Sequence, residues 1–434
     1  MNSLRFELSP SSLDVGTREE RATFGQFSVV VNESVASEGV ALGSNELLPG
    51  PYVPGYHVAD WLVRNWWRLA YEPSLDDDLE NTTMGWDLAH RMSTIGEGYV
   101  WPNILLVSDG LRMTLTTVAS QDSGARAFRY VGPDKTQVVD LEEYLQAVQS
   151  FLSNVVELTK FKSSTSKPSL HDSWDKLQTE IGDSKTSTLR RIEAMLGYDP
   201  GEANEKDIQS SIDDMRRLGN DAVAELAADA NTRHNSISRA KDVSKAARRV
   251  GFDGKIDDAI RLESNSNIQS WGECDAWRIG VATAHAVRHS ERLNGQPIGN
   301  TRLASMAGTS QNVISTTSRS SDKLSFVIKD ESSKFRIAMR SRWETGRRFD
   351  VARLVADRLF DNGIDDALLP ATQAYTYRQK AQRAFAAELL APFDALEDFL
   401  SGDRSEERRN EAADHFNVST YVISGVLQNN LRLQ

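Results

Sequence analysis

A change of hydrophobic period near Asp140 constrains this chain more than any single motif. Before it, apolar residues fall in short β-rich runs at 24–31 (FGQFSVVV), 104–107, 112–117 and 127–131, broken by Gly, Asp and Pro. One helix interrupts them at 56–70, where Val58, Trp61, Leu62, Trp66 and Leu69 recur at helical spacing. A shorter one at 86–92 precedes the turn Gly96-Glu97-Gly98. After Asp140, a plausible N-cap, Leu141, Tyr144, Leu145, Val148, Phe151 and Leu152 line one helix face. A Ser/Lys-rich linker at 162–168 leads to helical patterns at 170–196, 208–228 and 237–250. From about Trp271 onward helix and strand alternate: helices at 277–293, 349–360 and 379–390, strands at 324–328 and 335–339, then two shorter terminal helices. The pattern predicts an α+β chain: a strand-rich mixed domain at 1–139, a helical connector at 140–268 and a further α+β domain at 269–434.

A chain of 434 residues can bury several cores. Its formal net charge of -12 gives no global attraction to nucleic acid or to an anionic membrane. Cys274 is the single cysteine, which excludes an intramolecular disulfide and a cysteine metal cluster and fits a reducing, cytoplasmic setting. The first residues lack the basic segment and apolar run of a secretory signal, and no stretch of roughly 18 apolar residues could span a bilayer.

Four segments in the last domain carry a resemblance. They are AWRIGVATAHAVRHSERL followed by Pro297-Ile298; Arg347-Arg348-Phe349-Asp350-Val351-Ala352 after two strands; Ala384-Phe385-Ala386-Ala387-Glu388-Leu389-Leu390-Ala391-Pro392; and Ala412-Ala413-Asp414-His415-Phe416-Asn417-Val418-Ser419. In that order they are similar to the ImmA/IrrE family of zinc peptidases. The resemblance implies a zincin-like fold for 269–434 and a role in regulation, phage defence or mobile-element biology, typically through cleavage of a repressor.

A zinc peptidase of this kind needs His-Glu-x-x-His on a helix: two imidazoles one turn apart and a glutamate that deprotonates the metal-bound water. Carried over from Phe349, the first His position falls on Arg353, the Glu position on Leu354 and the second His position on Asp357. A guanidinium has no lone pair for zinc, and leucine is no base. The family's third ligand is a carboxylate just before the Phe-Ala signature, where this chain reads Tyr377-Arg378-Gln379-Lys380-Ala381-Gln382. The expectation is therefore a catalytically inactive, peptidase-like protein without a cofactor, working by binding a protein partner. Arg353 and Asp357, at i and i+4, can pair across one helical turn, either buried as a clasp or exposed at little energetic value. The alternative is an active zinc endopeptidase with a divergent site that recruits Asp357, Glu388 or a distant histidine.

Other candidates have simpler readings beside them. His285 and His289 have metal-ligand spacing, but Ala286 stands where a zincin keeps its Glu, and the neighbours Arg288, Glu291 and Arg292 suggest a solvent-facing pair. Asp76, Asp77, Asp78 and Glu80 lack the spacing of a calcium loop and read as a solvated run. Of the N-terminal tryptophans, Trp61 and Trp66 belong to a core stripe, whereas Trp67 and Trp101 are candidates for a surface binding cleft. His90, Glu97 and Asp109 lie near one another in sequence. Residues 409–428 fit a helix-turn-helix, with Asn417 at the turn and Ser419, Thr420, Tyr421, Ser424, Gln428 and Asn429 able to read bases. Few phosphate-binding cations accompany them, and Asp403, Glu406, Glu407, Glu411 and Asp414 lie just upstream, so DNA binding is the less favoured partner reading.

Overall fold

The run 24–31 forms a strand, Phe24–Val31, and pairs antiparallel with Leu4–Pro10 from Leu4 opposite Val31 to Pro10 opposite Gly25. This is a computed structural model; it describes residues 4–75, 82–120, 127–131, 135–160, 169–262, 270–321, 323–330, 333–360 and 366–431. The acidic run 76–80 and the linker 162–168 lie outside them. Helix and strand are mixed throughout, as expected for an α+β chain, with strands concentrated toward the N-terminus. None of the described helices is long and apolar enough to cross a membrane.

The chain divides into two units, Met1–Ile208 and Gln209–Gln434. Residues 140–268 are shared between them, their first helices belonging to the first unit and their later ones to the second.

In the first unit, Ile104–Ser108, Arg112–Thr117 and Lys135–Asp140 make an antiparallel sheet. Arg112–Thr117 alternates half-buried and buried residues, the period-two pattern of a strand with one covered face. The helices Gly55–Tyr71 and Leu141–Leu158 supply most of the core through Val58, Leu62, Trp66, Leu69, Phe151 and Leu152. The pattern at 170–196 is two helices, Leu170–Gly182 and Ser184–Met195. Asp183 ends the first, and its carboxylate accepts from the Thr186 amide at 2.9 Å to cap the second.

In the second unit four antiparallel strands run in the order Phe252–Lys255, Lys334–Ala338, Ser325–Lys329, Leu368–Ala371. Three helices pack beside one another: Ala276–Ser290, Glu344–Leu359 and Tyr377–Leu390. Gly280 lets the first approach the third, because a Cβ there would stand 2.5 Å from the Ala381 carbonyl oxygen. The pattern at 208–228 is likewise two helices, Glu205–Leu218 and Asn220–Thr232, parted at Gly219. Gly219 has φ +106°, and a Cβ there would lie 1.7 Å from Asp366 Oδ1. The glycine both breaks the helix and admits Asp366, whose Oδ2 accepts from the Ala222 amide at 2.8 Å. The chain ends in three helices rather than two, Phe393–Leu400, Glu406–Phe416 and Thr420–Leu431.

Candidate functional site

The helix Glu344–Leu359 buries an unusual amount of charge for an interior helix. Beside Val351, Ala352, Leu354, Val355 and Ala356 it buries Arg347, Arg348, Asp350, Arg353 and Asp357. Two of these are anchors. Arg347 donates to the carbonyls of Ser341, Val313 and Arg319. Arg348 donates to Asn417 O at 2.8 Å, Ile298 O at 2.7 Å and the Asn300 side chain. Each guanidinium thus finds carbonyl or amide acceptors in place of water.

Arg353 and Asp357 are both buried, but they do not form the expected i,i+4 clasp. Asp357 is held by Arg378 of the neighbouring helix Tyr377–Leu390, with Nε to Oδ1 and Nη2 to Oδ2 both at 2.7 Å. That bidentate geometry satisfies both carboxylate oxygens at once, which a partner one turn away on the same helix does not do here. Arg378 Nη1 also stands 3.4 Å from Asp366 Oδ2. Burial by itself would lower the affinity of Arg378 for its proton; the charge and hydrogen bonds of Asp357 outweigh it and raise it well above the usual value. Arg353 turns instead to Thr372 O at 2.6 Å and Gln379 Oε1 at 2.5 Å. Gln379 Oε1 also accepts from the Thr372 amide at 2.9 Å, and its Nε2 donates to Pro370 O. Burial, with repulsion from Arg383, pulls Arg353 down to about 10, so it stays protonated at neutral pH.

The helix Asn220–Thr232 completes the network. Thr376 Oγ1 donates to both carboxylate oxygens of Glu225, at 2.8 and 2.9 Å, and Asp229 accepts from the Gln373 amide at 2.8 Å. Burial pushes Glu225 up to about 7, against the opposing pull of Arg378. Burial likewise raises Asp366.

The residues at the would-be ligand positions do not fit a zinc ion. Arg353 and Leu354 supply no lone pair, both oxygens of Asp357 are engaged by Arg378, and Arg378 itself stands in the segment where the resemblance would put the third ligand. Among the described residues no group of three His, Cys, Asp or Glu side chains converges as a metal site. Glu388 is committed elsewhere: His285 Nε2 lies 2.8 Å from its Oε1. That hydrogen bond raises the His285 pKa against the effect of burial. His285 and His289 are exposed as expected, whereas their neighbour Arg288 is buried and donates to the carbonyls of Asn294, Leu389 and Gln296.

In the first unit, Trp67 and Trp101 are not cleft residues. They are 3% and 4% exposed and lie in the hydrophobic core. Trp67 Nε1 donates to Glu180 at 3.1 Å and Trp101 Nε1 to Gly96 O at 2.7 Å, so each polar edge is satisfied inside. His90, Glu97 and Asp109 do not converge. His90 lies between Leu106 O and Glu72, at 2.9 and 3.1 Å. Asp109 accepts from the amides of its own turn, at Leu111 and Arg112.

At the C-terminus Asn417 adopts the left-handed conformation, φ 51° and ψ 53°, between Glu406–Phe416 and Thr420–Leu431. Ala413, Val418, Ile423 and Val426 are buried, and Tyr421 is 79% exposed.

Sequence reasoning missed Arg378, Gln379, Glu225 and Asp366. Glu225 and Asp229 had left a signal: two acids one turn apart in the Ala-rich stretch NDAVAELAADANT. Acids on an otherwise apolar helix face call for buried partners. No family model, no curated protein and no solved structure matches this chain.

Proposed function

We propose that residues 269–434 form an ImmA/IrrE-type, zincin-like domain whose metal site has been exchanged for a buried ion-pair network, and that the protein acts in regulation or defence by binding a protein partner. The observation that carries this reading is the bidentate Arg378–Asp357 pair: it joins the second histidine position of the motif to the third-ligand segment. Arg353 occupies the first position and bridges to Gln379 in that same segment. The two helices that a zinc ion would join are therefore joined by guanidinium groups. The alternative, an active peptidase that recruits Asp357, Glu388 or a distant histidine, finds Asp357 engaged by Arg378 and Glu388 by His285.

Capture tests the reading. The 434-residue chain immobilised in the presence of a chelator should retain one specific protein, intact and at fixed stoichiometry. Release of cut fragments, or retention of nothing above a scrambled control, would contradict it. A second reading, DNA binding through 409–428, is favoured by the left-handed Asn417 and the exposed Tyr421. The helix Thr420–Leu431 offers phosphate no lysine or arginine. Salt-dependent retention on promoter DNA is the corresponding test.

A further inference from the structure

Lys255 and Lys334 stand directly opposite each other across the antiparallel pair Phe252–Lys255 and Lys334–Ala338. Residues so paired project from one face of a sheet with Cβ atoms about 4.5–5.5 Å apart, and like charges there repel. The next pair on that face has the opposite arrangement: Asp253 opposes Arg336, whose Nη2 lies 3.2 Å from Asp253 Oδ1. Among the described residues no carboxylate stands within ion-pairing distance of Lys255 or Lys334. Both lysines line a cleft of about 600 Å³, a size suited to a small ligand. Ser305 of the helix Asn300–Met306 and Ser310 of the turn after it line the cleft as well. Neither hydroxyl has a hydrogen-bond partner among the described residues. Two glycines bring this turn against the strand. A Cβ at Gly254 would stand 2.2 Å from the Phe335 ring and 2.9 Å from Gly308 O. One at Gly308, whose φ is +74°, would stand 2.4 Å from Lys255 O. Across that approach the Lys255 amide donates to Gly308 O at 2.9 Å. Asp258 also lines the cleft, beyond ion-pairing reach of both lysines, and Asp253 is held by Arg336. Lys255, Lys334 and Arg336 against Asp253 and Asp258 leave the cleft positive in a chain of net charge -12.

We propose that this cleft binds a phosphate group, free or as the monoester of a small molecule. An anion seated between Lys255 and Lys334 attracts both and offsets their mutual repulsion. Ammonium groups bind phosphate as point charges, and the Ser305 and Ser310 hydroxyls offer further donors to its several oxygens. A carboxylate presents only two oxygens, in a plane that a guanidinium fork fits better. An open cleft of this size admits a small molecule, whereas the net charge of -12 opposes the approach of a polynucleotide. The site lies outside the buried ion-pair network and does not depend on the reading of that network as an exchanged metal centre.

Titration calorimetry of the 434-residue chain with inorganic phosphate and with glycerol 3-phosphate, in phosphate-free buffer, tests this. One or both should bind at one per chain, and the tighter of the two identifies the source of the phosphate. Lys255→Gln combined with Lys334→Gln should weaken that binding by about tenfold or more. Lys245→Gln removes the same charge from an exposed position on the helix Ala240–Val250 and should leave the affinity unchanged. Thermal unfolding gives a second readout. Without anion, Lys334→Gln relieves repulsion and should hold or raise the midpoint; saturating anion should raise the midpoint of the wild type and not that of the double variant. Both substitutions fall at exposed positions, and the same midpoint reports that the double variant has folded. Failure of both ligands to bind the wild-type chain overturns the site, as does undiminished affinity in the folded double variant. Acetate that binds as tightly as phosphate overturns the phosphate assignment, and a single-stranded oligonucleotide that binds more tightly than either ligand overturns the small-molecule one. Should the double variant fail to fold, Lys334→Gln alone must weaken binding for the site to stand.

Discussion

Arg378 reaches Asp357 with two hydrogen bonds of 2.7 Å, and neither side chain has water to fall back on. Removing one partner leaves the other charged and buried, so Asp357→Ala should destabilise the protein by about 3–5 kcal/mol in denaturant unfolding. Asp357→Leu combined with Arg378→Met should cost less than either single change, because no charge is then stranded. A cost for Asp357→Ala below about 0.5 kcal/mol would mean that the pair is open to solvent. Glu225 gives a pH signature of opposite sense to an ordinary salt-bridged carboxylate. Its folded pKa of about 7 exceeds its ordinary value of 4.5, so the folded state binds the extra proton between those limits. Stability contributed by that proton is present at pH 4.5 and lost as the pH rises through about 7, an effect on the order of 3 kcal/mol. Glu225→Gln should flatten this part of the stability profile; an unchanged slope between the variant and wild type would contradict the assignment.

Among the elements, glycine and aspartate punctuation decides what the helical periodicity left joined. Gly219→Ala should cost more than about 1 kcal/mol, through positive φ and through collision with Asp366, which caps the following helix. Thermal unfolding measures it, and an unchanged midpoint would show that Asp366 does not depend on this approach. The sequence made the long elements legible: Arg112–Thr117 through the strict period of one covered face, Gly55–Tyr71 through apolar residues at helical spacing, and Phe24–Val31 as a β-rich run that is buried from Phe27 to Val31. It did not reveal Phe252–Lys255 or Leu368–Ala371, four-residue strands with no room for a period to show. The site was legible in part. The burial of Arg353, Leu354 and Asp357 was legible from the apolar residues around them. The partner choice did not follow, since i,i+4 spacing is local information, whereas Arg378 comes from another helix and Glu225 from a third. Trp67 misled for a related reason: falling off one helical stripe does not expose a side chain when a second layer, here Glu180, covers it. Trp101, chosen for its place beside Pro102, is likewise buried, with its Nε1 on the Gly96 carbonyl.

On the scale of the whole molecule, three helices of the second unit are cross-linked through buried charge. The helices Asn220–Thr232, Glu344–Leu359 and Tyr377–Leu390 meet through Glu225, Thr376, Asp357, Arg378, Arg353 and Gln379, with hydrogen bonds of 2.5–2.9 Å. On the reading proposed above, such a network holds register between the helices in the place of a metal ion. The most direct measurement is the zinc content of the 434-residue chain after equilibration with excess zinc and removal of the loosely held ion. The account predicts zinc far below one per chain and no chelator-sensitive peptide cleavage. One tightly held zinc per chain, with cleavage abolished by chelator, would contradict it.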